Sequence, residues 1–423
     1  MSTISRTENS VPAPPKTFTG KAKLVGPGFV TAATGVGTGD LIAALVAGAA
    51  FGMTLGWAIL LGSLFKFYFT EGMGRWQLAT GQSILEGWHS LGKWATGYFG
   101  VYSIIWGFSY GAAAMSTSAI MMVTMFPIMP LWAWAVIHGL AGLALVMLGH
   151  YQLFEKVMTL MVGLMFITVV GSAVILLPDI GNIVSGFVPR TGGSSLLLVL
   201  GLLGGVGGTI TMASYGYWIR EKNWEGKSWI PMMRMDSATG YIITAIFTLS
   251  LLVVGAEFLF GTGIEINGEE GLVSLSNLYS DEFGSFARWL FLIGAWSAAF
   301  SSLLGVWNGV PYLFADFVRM VRKKGAHSDR KVSKKDFAYR AYLLWLTFPP
   351  MLLLFFGQPV LLVILYGALG ALFMPFLAIS LMLLLNSKRV DREFQNGWIT
   401  NTVLTACVVV FVYLGAVELM KLL

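Results

Sequence analysis

Long apolar runs separated by short polar turns recur along almost the whole chain. They lack the strict alternation of a half-buried strand. A membrane-crossing helix needs about 20 mostly apolar residues, and runs of that length read as spans. The pattern predicts eleven helical spans, at 24–49, 53–79, 96–126, 130–149, 154–178, 197–221, 237–262, 285–318, 338–357, 359–386 and 397–421.

Charge orients these spans. Lys and Arg collect in alternate connections: Lys93; Lys222, Lys227 and Arg234; a dense group from Arg319 to Lys335; and Lys388, Arg389 and Arg392. The 262–284 connection instead carries Glu265, Glu269, Glu270, Asp281 and Glu282. Positive-inside bias places the N-terminus in the cytoplasm and the C-terminus outside, in a plasma (inner) membrane. Residues 1–20 are polar and Pro-rich and read as a disordered cytoplasmic tail, leaving 21–423 as one transmembrane transporter domain.

Composition supports this class. Of 423 residues, 56% are hydrophobic and 11% charged, against about 25% charged in soluble domains, so lipid must solvate much of the surface. The net charge of +6 is spread over inter-span clusters and does not indicate a nucleic-acid partner. The single cysteine, Cys407, excludes an intramolecular disulfide or a Cys-based metal site. No nucleophile–base pair or Gly-x-Ser-x-Gly elbow is present, so no enzymatic site and no cofactor are expected.

Two spans contain stretches that a continuous helix avoids. The first reads Gly35-Val36-Gly37-Thr38-Gly39-Asp40, and the sixth runs from Gly201 to Thr211 with Gly204, Gly205, Gly207 and Gly208. Each interior glycine costs about 1 kcal/mol relative to alanine. Unwound backbone at membrane depth survives only where it is buried in protein or lines a cavity. Interruptions at corresponding positions of two five-helix halves point to a transporter's binding site, and a mid-span carboxylate such as Asp40 is a site candidate by default.

These segments resemble the Nramp (natural resistance-associated macrophage protein) family of divalent-metal transporters. The segment GPGFVTAATGVGTGDLIAALVAGAAFG (26–52) is similar to the family's first helix, and GRWQLATGQSILEGW (74–88) to the end of its second. PLWAWAVIHGLAGLALVMLG (130–149) is similar to the fourth, and GGTITMASYGYWIREK (207–222) occupies the place of the sixth-helix motif. The resemblance implies an all-α LeuT-type fold working by alternating access: two inverted five-helix repeats (24–178 and 197–386) plus an eleventh helix at 397–421. The family's Asp-Pro-Gly-Asn reads Gly37-Thr38-Gly39-Asp40 here, and its Met-Pro-His reads Thr211-Met212-Ala213. The third-helix carboxylates become Ala112 and Met115, and the tenth-helix glutamine falls near Ala368. The chain is thus a divergent member without the usual metal-binding motifs.

The candidate substrate site comprises Gly37, Thr38, Gly39, Asp40, Gly208, Thr209, Thr211, Ser214 and Tyr215. Hydroxyls and carbonyls with one carboxylate suit a transition metal poorly. Free N–H groups at half-helix starts favour an anion. A small anion such as bicarbonate is the favoured substrate; a divalent cation (Mn²⁺ or Mg²⁺) and a neutral or organic solute stay open, and an ion channel is the alternative class. Asp40, with Ser301 and Ser302 in the eighth span, is the candidate for holding a coupling Na⁺ or H⁺. Lys66, Glu71, Arg75 and Glu86 are candidates for a gate or vestibule, with Glu71 and Arg75 spaced for an i,i+4 pair. Asp236 is expected to cap the seventh span, and His138 to be a hydrogen-bonded packing residue. A monomer is compatible with a chain that supplies its own pathway.

Overall fold

A computed structural model describes residues 14–15, 17–26, 37–148, 151–176, 180–190, 196–322 and 332–422. Among them every regular element is a helix. Most of the expected tail, the stretch 27–36 of the first span, His150, His327 and residues 323–331 of the basic 319–337 connection lie outside the described residues. Within the stretch expected as tail, Phe18–Ala22 forms a short helix (α1), whose first turn Thr17 caps by accepting the Gly20 N–H.

The remaining helices follow the order expected from hydropathy. The second half of the first span is α2 (Thr38–Phe51), and a tight turn leads to α3 (Gly56–Thr80). Then come α4 (Ile84–Ser90), α5 (Lys93–Met125), α6 (Leu131–Leu148), α7 (Tyr151–Ile175) and α8 (Ile180–Ser185). The second half holds α9 (Leu196–Gly205), α10 (Tyr215–Glu221), α11 (Ile230–Leu259), α12 (Glu269–Arg322), α13 (Phe337–Met351), α14 (Pro359–Leu385) and α15 (Trp398–Leu422). Eight described stretches are long and apolar enough to cross a membrane, the first of them (Thr38–Thr80) containing both α2 and α3. Helix α5 adds 33 residues, about 50 Å of rise, with more Ser, Thr, Tyr and Gly among its apolar positions.

Two boundaries differ from the sequence expectation. The seventh span starts at Ile230, with Pro231 in its first turn where a missing N–H costs nothing. Asp236 therefore lies inside α11 and does not cap it. The eighth span is preceded by further helix, so α12 starts at Glu269, with a bend at Gly284 (φ 83°). Glu269, Glu270, Asp281 and Glu282 thus sit on helix in what read as a connection.

Packing centres on the two interrupted spans. Helix α9 lies against α14, α2 against α11, and α5 against both α12 and α14. Small residues permit the closest of these approaches, as is usual where lipid supplies no hydrophobic drive between helices. A Cβ on Gly204 would fall 2.2 Å from the Gly367 carbonyl oxygen, and one on Gly255 would fall 2.5 Å from the Leu45 carbonyl oxygen.

Candidate functional site

Helix α9 stops at Gly205, and the chain crosses Gly207 and Gly208 at φ 68° and 75°. Those values are open to glycine and disfavoured for residues with a Cβ. A tight turn over Ile210–Ser214 then leads into α10. Ending a helix leaves its last carbonyls without partners, and inside a membrane each one needs another. The Leu202 carbonyl accepts the Val206 N–H at 3.1 Å, and the Gly205 carbonyl the Gly208 N–H at 3.2 Å. The Gly204 and Val206 carbonyls are taken by the Lys66 ammonium from α3, at 2.7 Å for Gly204. On the other side of the break, the Gly207 N–H donates to both carboxylate oxygens of Asp40, 3.2 Å each. Lys66 and Asp40 are fully buried, at 0% and 1% exposure, and their opposite charges act on each other. Two side chains from two other helices therefore hold the sixth-span break open.

The start of α2 meets it. Gly37 starts α2 at φ 128°, where a Cβ would fall 2.1 Å from the Ala298 carbonyl oxygen of α12. Gly39 packs closely on Gly205: a Cβ on Gly39 would lie 3.1 Å from the Gly205 Cα, a tight contact. Around this contact is a ring of hydroxyls and aromatic faces. Thr38 Oγ1 donates to Ser302 Oγ at 3.3 Å, and Ser302 shares a second bond of 2.9 Å with the Tyr110 hydroxyl. Trp106 stacks on Tyr110 with centroids 4.8 Å apart, and Tyr366 stands edge-on to Tyr110 at 5.0 Å. The Thr209 hydroxyl sits beside the phenols of Tyr102 and Tyr366.

The structure thus brings Gly37, Thr38, Gly39, Asp40, Gly208 and Thr209 together with Ser302. Thr211 lies buried in the turn, its hydroxyl without a hydrogen-bond partner among the described residues, and Ser214 is buried nearby. Tyr215 points elsewhere: its hydroxyl donates to Asp236 Oδ2 at 2.8 Å and to the Met233 carbonyl. Ser301 bonds back to the Ala298 carbonyl of its own helix at 3.0 Å. Lys66, expected at a vestibule, sits on the break. Glu71 bridges Arg75 and Arg234, each at 2.8 Å. Arg75 also donates to the Phe394 and Gln395 carbonyls and to Asn396 Oδ1. Glu86 forms a capping box with Ser83 at the start of α4. His138 accepts from Trp296 Nε1 at 2.9 Å, its other nitrogen facing the Trp134 carbonyl at 2.7 Å, so both ring nitrogens are spent on packing.

Trp106, Tyr102 and Tyr366 carry no sequence signal that separates them from the aromatics packed elsewhere in these helices. Only the spacing of Tyr102, Trp106 and Tyr110, which puts them on one face of α5, hints at a shared surface. Among the described residues no group of three His, Cys, Asp or Glu is placed to hold a metal ion.

A family model described as natural resistance-associated macrophage protein-like matches residues 28–421. An uncharacterized protein of Pasteurella multocida is 25% identical over 321 residues, 73% of each chain. The crystal structure of a manganese transporter mutant from Eremococcus coleocola superposes with a TM-score of 0.75 at 14% identity, covering 96% of this chain and 88% of that one. MhsT in complex with L-phenylalanine superposes with a TM-score of 0.54 at 15% identity, covering 90% and 97%. At these identities the two structures show a shared fold, the LeuT-type arrangement.

Proposed function

The chain belongs to the natural resistance-associated macrophage protein family, a family of membrane transporters, and from that premise we propose that it moves a small anion by alternating access. The shared chemistry we assign to the substrate is a carboxylate-like head, bicarbonate being its smallest form. One observation carries this reading: the only carboxylate at the meeting of the breaks, among the described residues, is bound to Gly207 N–H and faces the Lys66 ammonium. That pair sums to zero charge. A divalent cation entering there would bring two uncompensated charges into a dry site, a cost that grows with the square of the charge. An anion of one charge meets instead the hydroxyls of Thr38, Ser302 and Tyr110 and the first turn of α2, the positive end of its dipole. The aromatic faces of Trp106, Tyr110 and Tyr366 suit the apolar side of a small organic acid; MhsT, of the same fold, holds an amino acid.

A divalent cation is the second reading, favoured by the manganese transporter that shares the fold and by a carboxylate at membrane depth. Proteoliposome flux separates the two. Saturable uptake and counterflow of bicarbonate or a short carboxylate, with no Mn²⁺ uptake, is the expected result. Saturable Mn²⁺ uptake that disappears in Asp40→Ala would overturn it. We further assign the protein to a plasma membrane with its N-terminus in the cytoplasm, from the Lys and Arg bias, and treat 21–423 as one transporter domain. Any coupling Na⁺ is assigned to the neighbourhood of Ser302, and a coupling H⁺ to Asp40.

A further inference from the structure

The Lys66 ammonium occupies an unusual address. It comes from the middle of α3 and meets the two carbonyls, Gly204 and Val206, that α9 leaves open by breaking. Carbonyls at a helix C-terminus lie at the negative end of its dipole. The Asp40 carboxylate stands on the next N–H of the same break. Two carbonyl oxygens at a helix C-terminus are ligands of the kind hard cations take, the Asp40 charge acts on the same place through space, and broken helices use such carbonyl ends to hold coupling cations.

We propose that Lys66 is a tethered cation: its ammonium takes the place that a free alkali ion would fill at the carbonyl end of the break, so no such ion is bound there during the cycle. The tether has a physical advantage. A free ion must be supplied from outside at sufficient concentration, whereas the lysine ammonium is already present on its flexible four-carbon stem. Removing the side chain back to Cβ therefore opens a cation site at the Gly204 and Val206 carbonyls, within the field of the Asp40 charge. Any alkali ion coupled to transport binds elsewhere, with Ser302 the nearest candidate.

Thermal unfolding of the detergent-solubilised full chain tests this without any transport substrate, so it can fail independently of the small-anion reading. Sodium chloride is exchanged for choline chloride at constant ionic strength, with potassium and methylammonium chlorides as further arms. The wild-type chain should melt at the same temperature throughout. Lys66→Ala should gain a saturable rise of about 2 °C or more in sodium, potassium or methylammonium over choline, and Lys66→Ala with Asp40→Asn should lose most of that rise. A Lys66→Ala chain that melts identically in every salt would overturn the proposal. So would a rise that persists without the Asp40 charge, because the ion would then sit elsewhere. Failure of Lys66→Ala to accumulate folded in sodium-rich medium would also count against it, since that medium supplies the missing ion.

Discussion

At the scale of single residues, what matters is which charges are buried with partners. Glu71 is 3% exposed at its side chain and holds Arg75, exposed by 1%, and Arg234, exposed by 54%. Removing the acid leaves the Arg75 guanidinium buried with only neutral acceptors from Phe394, Gln395 and Asn396. Breaking a buried pair by deleting one partner costs about 3–5 kcal/mol, so Glu71→Gln should markedly lower the melting temperature and the folded yield. Arg234→Ala removes the half-exposed partner, and its cost should stay below about 1 kcal/mol. Equal losses in thermal denaturation would show that Arg234, and not Arg75, carries the pair. The sequence placed Glu71 and Arg75 together, because i,i+4 spacing is local. It could not place Lys66: spacing along α3 sets the direction of a side chain around the helix but not which neighbour covers that direction. The partner carbonyls are 138 and 140 positions away in the chain.

At the scale of elements, the two breaks were legible because clustered glycines weaken a helix, and unwound backbone at membrane depth survives only inside protein or beside a cavity. The α9–α14 contact gives this a sharper form. Gly204 and Gly201 are one helical turn apart, and composition alone treats them alike. A Cβ at Gly204 would meet the Gly367 oxygen at 2.2 Å and the Ala371 nitrogen at 2.4 Å, both backbone atoms. At Gly201 the nearest atoms are 3.5 Å away, ordinary contact. Gly204→Ala must force the two helices apart, at about 1–3 kcal/mol or more for overpacking, and it also shifts the carbonyl that Lys66 holds. Gly201→Ala should melt within about 1 kcal/mol of wild type, helped by the better helix propensity of alanine. Size-exclusion profiles and melting curves of the pair check this; matching behaviour would mean that α9 and α14 are free to slide. The aromatic ring around the breaks was not legible for a related reason. Trp106, Tyr110 and Tyr366 converge from α5 and α14 only through packing, and fourteen tyrosines and fifteen tryptophans offer too many equivalent candidates.

At the scale of the whole molecule, polar clamps gather at one end. The ion pairs Glu71–Arg75, Glu71–Arg234, Lys227–Glu393 and Asp316–Arg319 lie at the end assigned to the cytoplasm. Asp316 also accepts from Tyr217 of α10. Asp236, fully buried, joins two segments: its Oδ1 accepts the Gly26 N–H at 2.8 Å, at the entry to the first span, and its Oδ2 accepts the Tyr215 hydroxyl of α10. Both interrupted spans are therefore tied to α11 at this end. Under the proposed alternating access these ties are expected to release when this end opens, and a ligand or mutation shifts such an equilibrium only by its differential contacts with the two states. Hydrogen bonds to a charged group are worth about 1.5–3 kcal/mol each, so Asp236→Ala should move the population toward the state open at this end by about tenfold or more. A cysteine introduced at the buried Thr211, with Cys407→Ala as background, gives the readout. Its labelling by a charged thiol reagent applied from the cytoplasmic face should accelerate about tenfold in the Asp236→Ala chain and stay unchanged in Ser301→Ala, whose hydroxyl bonds only its own helix. An unchanged rate in Asp236→Ala would mean that these bonds hold the fold in both states and play no part in the switch.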